Sequence, residues 1–353
     1  MNSLFFSNNI IQWYNINKRK LPWRETKSAY LVWVSEIILQ QTRVDQGSAY
    51  YIRFIERFPD IVSLAKASED DVLKMWQGLG YYTRARNLHK GAKQVVREMN
   101  GLFPSTFEQI KSIKGIGDYT AAAISSIVFN LPTPAIDGNV FRVLSRVFGV
   151  FEPIDTATGK RTFKELSLQL IDRNRPSDYN QAVMEFGALL CKPKSPRCET
   201  CPFESQCYAL KNGKIEQLPI KSKKVKTRER FFNYLIIETE QHVFMNKRSD
   251  NDIWKNMFDF PLIETSKYIN IDTLTQTDHW NTVFKKQDVI ITQLSNNFKH
   301  ILTHQHITAR FIHISIKNEN FLPTHFIRID KRNIFELAVP KIIENYLTTQ
   351  FVL

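Results

Sequence analysis

Two carboxylic acids in contrasting surroundings are the natural starting point for reading this 353-residue chain. Glu36 lies in Tyr30–Gln41, YLVWVSEIILQQ, a stretch that is apolar almost all the way round a helical wheel. Val32, Trp33 and Leu39 fall three or four positions from it, so its neighbourhood is dry apart from Gln40. Desolvation disfavours the ionised form, raises the pKa and keeps a carboxyl usable as a proton donor near neutrality. The structural alternative is a buried Glu paired with an Arg to hold the core together. Asp137 follows Pro132, Pro134 and Ile136, and it precedes a helix with the apolar stripe Val140, Val143, Leu144, Val147 and Phe148. Asp is a preferred N-cap. In that position the helix N–H groups and dipole stabilise its charge, so it is expected to stay ionised. One protonated and one charged acid is the division of labour that cleaving a glycosidic bond through an oxocarbenium-like state requires.

The four cysteines, Cys191-x6-Cys198-x2-Cys201-x5-Cys207, lie within one short Pro-containing loop. In a reducing compartment such a cluster argues for a metal site over disulfides. The spacing lacks the two CxxC knuckles of a zinc ribbon, which favours an iron-sulphur cluster over zinc. Lys192, Lys194 and Arg197 crowd the first interval, where they suit a phosphate.

Several elements must position these groups. Between residues 113 and 118, Gly115 and Gly117 permit a tight turn whose N–H groups face outward at a helix start and favour an anion. A capping box from Pro104-Ser105 to Glu108 starts the helix before the turn, and Thr120 to Ser126 supplies small residues for close packing after it. Helix, hairpin, helix is a DNA-backbone cradle, although many folds use the same hairpin merely to turn. Tyr50 to Met99 reads as helical with Pro59 as a breaker and Ser68 to Asp71 as a cap. Within it, Gly78-Leu79-Gly80-Tyr81-Tyr82 is a second glycine turn backed by Arg84, Arg86, His89 and Lys90. That pattern suits a wedge entering a base stack while cations hold phosphates, or else two core tyrosines. Leu21-Pro22-Trp23-Arg24 sets an aromatic beside a cation, either to stack on a base or to anchor an N-terminal arm. Gln40-Gln41-Thr42 offers uncharged polar groups to base edges.

A formal charge of +13 suggests a polyanionic partner. No apolar run approaches the roughly 20 residues needed to span a bilayer, and nothing at the start resembles a signal peptide, so a soluble intracellular protein is expected. Lys214 to Arg230 carries seven Lys or Arg against two Glu and reads as a basic linker. Residues 231–237, 242–248 and 307–316 look like strands and Val339 to Leu347 like a terminal helix, which makes a second, α+β domain. It has no glutamate-rich metal-binding helix, so binding is expected of it rather than catalysis.

Together the glycine hairpin, the Asp twenty residues beyond it and the C-x6-C-x2-C-x5-C loop resemble the helix-hairpin-helix DNA glycosylase superfamily. Leu21-Pro22-Trp23-Arg24, Ser35-Glu36, Gln40-Gln41-Thr42, Gly78 to Tyr82 and Ile136 to Val140 are most similar to the MutY family of adenine DNA glycosylases. The resemblance implies an all-α helix-hairpin-helix glycosylase domain at 1–211 with a 4Fe-4S cluster on Cys191, Cys198, Cys201 and Cys207. A basic linker at 212–229 and an α+β Nudix-like domain at 230–353 follow. It implies removal of adenine opposite 8-oxoguanine or guanine from double-stranded DNA, by a cytoplasmic, nucleoid-associated monomer with no membrane role. In that scheme Glu36 protonates the flipped adenine at N7 and later assists water attack, and Asp137 stabilises the sugar cation. Tyr119 and Asn139 steady that charge, Arg24 and Gln181 line the adenine pocket, and Trp23 of the same arm is counted with the DNA-contacting residues. Gln41, Thr42, Leu79 and Tyr81 surround 8-oxoguanine, while Gly115 and Gly117 meet the backbone. Tyr119 stands where the endonuclease III branch has a Schiff-base lysine, and Lys114 is out of register for that role, so a monofunctional glycosylase is expected. The second domain departs from the pattern. Where many members carry Phe-Ser-His, this chain has Leu302-Thr303-His304, so Thr303 and His304 keep polar contacts and the aromatic wedge is lost. An endonuclease III-like lyase and a catalytically inert lesion binder are the rival readings.

Overall fold

The computed structural model describes residues 2–222, 227–249, 252–285 and 287–350. The chain divides into two units, residues 1–67 with 83–224, and residues 68–82 with 225–353. The first is helical. It contains α1 (Ser3–Asn17), α2 (Ala29–Leu39), α3 (Val44–Arg57) and α4 (Ile61–Lys66); α5 (Glu69–Trp76) belongs to the second unit. The first unit resumes with α6 (Thr83–Glu98), α7 (Phe107–Ser112), α8 (Asp118–Phe129), α9 (Gly138–Phe148), α10 (Ala157–Leu170), α11 (Pro176–Leu189) and α12 (Tyr208–Lys211).

The all-round apolar pattern of α2 is used in full, since every residue from Val32 to Ile38 is buried. Its C-terminal carbonyls, which have no partner within the helix, need donors. Arg84 supplies them, with Nη1 2.8 Å from the Ile37 oxygen and 3.1 Å from that of Ile38. The arginine expected to hold a phosphate thus caps the helix that carries Glu36. His89, expected beside it, is buried with Nε2 3.1 Å from the Ala67 carbonyl oxygen. The cap of α7 is Thr106, whose Oγ1 accepts from Gln109 N, and not Ser105 as the sequence suggested. At the hairpin, Gly115 has φ +87°, and a Cβ there would lie 2.7 Å from that of Asn87, so both backbone conformation and space demand glycine. The small residues of α8 do allow close packing: Ala122 and Ala123 form a tight cluster with Ala135, Phe107 and Tyr119.

The main core of this unit gathers Phe6, Ile10 and Tyr14 of α1, Val143 and Leu144 of α9, Phe163 of α10, and Val183 and Phe186 of α11. Cys191, Cys201 and Cys207 pack against it together with Phe203. Residues 212–222, read as linker from their charge, are held on the unit. Leu218 O accepts from Arg146 Nε (3.1 Å), Ile220 O from Ile154 N (3.0 Å), and Ser222 N donates to Asp155 Oδ1 (2.9 Å). Residues 223–226 of the proposed linker lie outside the described residues. Among the described residues no helix is long and apolar enough to cross a membrane.

The second unit is built on a mixed sheet of β1 (Arg228–Glu238), β2 (His242–Lys247), β3 (Phe258–Asp259), β4 (Leu262–Thr265), β5 (Ile290–Leu294), β6 (Phe298–Ile301), β7 (Gln305–Ser315) and β8 (Ile327–Asp330). The order is β3-β2-β1-β7-β5, with β4 on β1, β6 on β7 and β8 on β2. The long central pair β1–β7 is parallel and the others are antiparallel. On one face Leu235, Ile237, Ile312 and Ile314 pack on Leu274 of α13 (Ile271–Thr275) and on Trp280 and Phe284 of α14 (Asp278–Phe284). On the other, Phe311 stacks at 3.7 Å on Tyr346 of α15 (Lys341–Gln350).

Candidate active site

In the first unit α2, the first turn of α8, the N-terminus of α9 and α11 enclose a cavity of about 600 Å³, a size typical of ligand pockets. Trp23, Arg24, Glu36, Gln41, Thr42, Tyr119, Asp137, Asn139 and Gln181, all expected from the sequence, line it. Trp23 also satisfies its structural alternative, since it is buried and packs edge-on against Tyr51.

Glu36 is 9% exposed, and burial pushes its carboxyl up to about 7. A hydrogen bond with Tyr119 and the charge of Arg24 oppose that rise, and Asp137 adds to it. Burial holds the Tyr119 phenol protonated, well above its ordinary value. Tyr119 Oη also lies 3.3 Å from Met184 Sδ, to which it donates. Asp137 is the N-cap of α9. Its Oδ1 accepts from Asn139 N (2.9 Å) and Val140 N (2.8 Å), and its Oδ2 from Asn139 Nδ2 (2.7 Å). Burial nevertheless raises its pKa, against those donors and the charge of Arg142. The sequence disclosed the donors but not the burial, so the expectation that the cap alone sets the charge of Asp137 is corrected.

Asn139 is itself held. Its Oδ1 accepts from Arg142 Nη2 (2.8 Å), and Arg142 also donates to Gly187 O (2.8 Å) and, through Nε, to Cys191 O (2.8 Å). One buried guanidinium therefore links the residue beside Asp137 to the start of the cysteine loop. Close approach of α11 to α9 makes this possible: a Cβ on Gly187 would lie 2.6 Å from Asn139 Cβ. Gly187→Ala is expected to push the helices apart and lower the melting temperature by several degrees, which thermal melts check.

Sequence reasoning missed Arg19 and Glu185. Glu185 is 2% exposed and receives paired hydrogen bonds from Arg19 (2.9 and 2.6 Å) and Arg24 (3.0 and 2.9 Å). Burial alone would raise its pKa, but the two arginines prevail and hold it at about 2. The buried Glu–Arg pairing considered for Glu36 thus belongs to Glu185. Only the Arg19 and Arg24 side of this contact has a local signal, because Glu185 lies more than 160 residues further along the chain. Gln181 is oriented by Tyr14 Oη, which donates to its Oε1 (3.2 Å), while its Nε2 donates to Ser177 Oγ (3.2 Å).

Four expected contact residues lie in the second unit. Tyr81 is 48% exposed with φ +50°, and its hydroxyl is 2.5 Å from Thr303 Oγ1. Leu79 is buried. Thr303 and His304 are exposed at the tip of the β6–β7 hairpin, which Leu302 N closes on Gln305 O (2.8 Å). Gly115 and Gly117 lie at the hairpin of the first unit, outside the cavity.

Cys191, Cys198, Cys201 and Cys207 line one separate cavity with Arg146, Phe186 and Leu190. Nitrogen donors face the sulfurs: Arg146 Nη1 is 3.6 Å from Cys191 Sγ and Phe203 N is 3.4 Å from Cys201 Sγ. Arg146 also donates to Lys192 O (2.7 Å) and Pro193 O (3.1 Å), fixing the loop on α9. Among the described residues no three His, Cys, Asp or Glu side chains are drawn together as ligands of a single ion.

The family model described as HhH-GPD superfamily base excision DNA repair protein matches residues 34–167, and a NUDIX domain model matches residues 233–349. The adenine DNA glycosylase of Buchnera aphidicola subsp. Schizaphis graminum is 39% identical over 257 residues, covering 72% of this chain and 73% of that protein. The Homo sapiens adenine DNA glycosylase is 43% identical over 223 residues, covering 60% of this chain and 41% of that protein. Among solved structures, a thermostable thymine-DNA glycosylase superposes with a TM-score of 0.55 at 26% identity, covering 59% of this chain and 96% of its own. A trapped endonuclease III–DNA covalent intermediate shares the fold, with a TM-score of 0.52 at 19% identity and coverage of 60% and 98%.

Proposed function

This chain belongs to the adenine DNA glycosylase family, and from that premise we propose that it removes adenine opposite 8-oxoguanine or guanine from duplex DNA by hydrolysis, without cutting the strand. It is a base-excision glycosylase acting on adenine. The observation that carries the mechanism is a buried Glu36, whose carboxyl burial pushes up to about 7, sharing one cavity with a hydrogen-bonded Asp137.

Adenine is unreachable inside the stack and must be flipped out. In the cavity Glu36 donates its proton to N7, which makes the base a leaving group as the C1′–N9 bond breaks. The electron pair leaves with adenine, and the sugar carries the positive charge. We assign Asp137 to that charge, aligned by Asn139 and, through it, by Arg142. Tyr119 bridges Glu36 and Met184 and supplies a hydroxyl, not an amine, at the sugar. The ionised Glu36 then accepts a proton from the water that attacks C1′, which restores the acid. Trp23, Arg24 and Gln181 shape the base site, and Gln41 and Thr42 lie at its rim. We assign Gly115 and Gly117 to a backbone phosphate, and Leu79, Tyr81, Thr303 and His304 to the opposite strand's 8-oxoguanine.

The four cysteines suit a 4Fe-4S cluster. They surround one cavity with N–H donors aimed at sulfur, an arrangement that suits thiolates ligating a cluster. When bound, the cluster would supply metal–thiolate bonds that cross-link residues 191–207 to one another, while Arg146 holds that loop on α9. A brown protein with broad absorbance near 400 nm is expected, whereas a colourless zinc protein overturns this assignment.

The test is single-turnover cleavage of duplexes carrying adenine opposite 8-oxoguanine, adenine opposite guanine, or thymine glycol, each with and without alkali. Breaks at adenine only after alkali, fastest opposite 8-oxoguanine, are expected. Breaks at thymine glycol without alkali would place the chain with the lyases.

A further inference from the structure

The second unit withdraws three arginines in or beside its sheet, Arg230 and Arg310 buried and Arg248 nearly so, and among the described residues two of them have acidic partners. Arg230 pairs with Asp252 and Glu264, and Arg248 with Asp252 and Asp259. The third, Arg310 on β7, is 7% exposed. Its Nε donates to Oδ1 of Asn233 (2.7 Å), the residue opposite it on β1, and Asn233 is fixed in turn by donating to Ile263 O (2.8 Å). Among the described residues its Nη2 has no hydrogen-bond partner, and no ion pair includes Arg310. A guanidinium withdrawn from water without a counter-charge is costly, a cost that contact with an anion would offset.

The surroundings supply a cover and an approach. The Tyr268 ring lies over the guanidinium at 5.2 Å and is itself 55% exposed, so it can swing aside without opening a core. Beside Arg310 the sheet edge is interrupted: β5 and β6 are separated by Ser295-Asn296-Asn297, and Ser295 bonds to Phe311 through both its N and its Oγ (2.9 Å each). Exposed Lys267 precedes Tyr268, and exposed Lys299 pairs with Thr308, which shares a sheet face with Arg310.

We propose that Arg310, covered by Tyr268 and oriented by Asn233, is a subsite of the second unit that takes a phosphate oxygen. The guanidinium suits a phosphate through charge and N–H geometry together, and the flanking lysines favour a polyanion's approach. The DNA backbone is the expected source, a choice that rests on the glycosylase reading; a free nucleotide phosphate has the same chemistry.

The full-length protein, Arg310→Met and Tyr268→Ala are compared for binding to an undamaged duplex across a salt series. Adenine excision by the unaltered protein is measured in parallel, so that failure of this proposal stays distinct from failure of the glycosylase reading. Arg310→Met is expected to weaken binding and to flatten the salt slope by about one unit, as loss of one phosphate contact requires. Tyr268→Ala uncovers Nη2 and is expected to tighten binding, which the loss of a merely packed ring would not do. In a second arm, melting temperatures are compared in inorganic phosphate, dGMP and chloride at matched ionic strength. A stabilisation by phosphate or dGMP that Tyr268→Ala enhances and Arg310→Met loses, with duplex binding unchanged, assigns the subsite to a free phosphate. If Arg310→Met does not fold, Tyr268→Ala decides alone. Unchanged duplex affinity, salt slope and phosphate response overturn the proposal.

Discussion

Replacing Glu36 with Gln is expected to slow adenine release about 10³-fold while leaving the chain folded, within the range that removal of a positioned general acid produces. The amide keeps the size of the side chain and can still bond Tyr119, but it has no proton to transfer to N7. In the proposed mechanism the acid form is the working form, so release should decline as pH rises through about 7, the value to which burial pushes this carboxyl. Stability gives an independent sign. A Glu whose folded pKa lies above its unfolded value contributes stability that is complete below the unfolded pKa and is lost as pH rises through the folded one. Between about pH 4.5 and 7 the unaltered protein should therefore lose stability that Glu36→Gln does not. At pH 8 the variant should be nearly inactive yet melt no lower than its parent. Single-turnover rates and melts at pH 5 and 8 check this, and a variant with full activity would remove Glu36 from the chemistry.

The local part of the architecture was legible because it is written in neighbouring residues. The apolar wheel of α2 forecast the dry setting of Glu36, and the Pro-rich approach to Asp137 forecast its cap. In the second unit, β1, β2, β7 and the terminal helix were legible from apolar runs. The strands β3 to β6 and β8 escaped notice, being two to five residues long and largely partly exposed at the margins of the sheet. What no local pattern carries is the partner chosen across distance. Glu185 meeting Arg19 and Arg24, Arg84 turning to the carbonyls of α2, and Arg142 spanning Asn139 to Cys191 all depend on helices remote in sequence. The same limit explains Asp137. Its donors lie two and three residues ahead, but its desolvation comes from the whole cavity wall.

Asp137→Asn separates the two roles that coincide at this position. As an N-cap, Asn is about as good as Asp, and its Oδ1 can keep accepting from Asn139 N and Val140 N. The change falls on the other atom. An amide NH2 replaces Oδ2 and faces Asn139 Nδ2, so Asn139 must either lose that bond or turn over and give up its acceptor to Arg142. One lost hydrogen bond costs about 1 kcal/mol, or a few degrees in melting temperature for a unit of this size. In the proposed mechanism the chemical cost is of another order, because the sugar cation then forms in a buried cavity without its counter-charge. A loss of about 10³-fold in single-turnover adenine release is expected, equivalent to about 4 kcal/mol at the transition state. A rate loss several times larger in free energy than the stability loss assigns Asp137 to the cation. Comparable losses in both would reduce it to a helix cap, and the two-acid mechanism would then fail at its second residue.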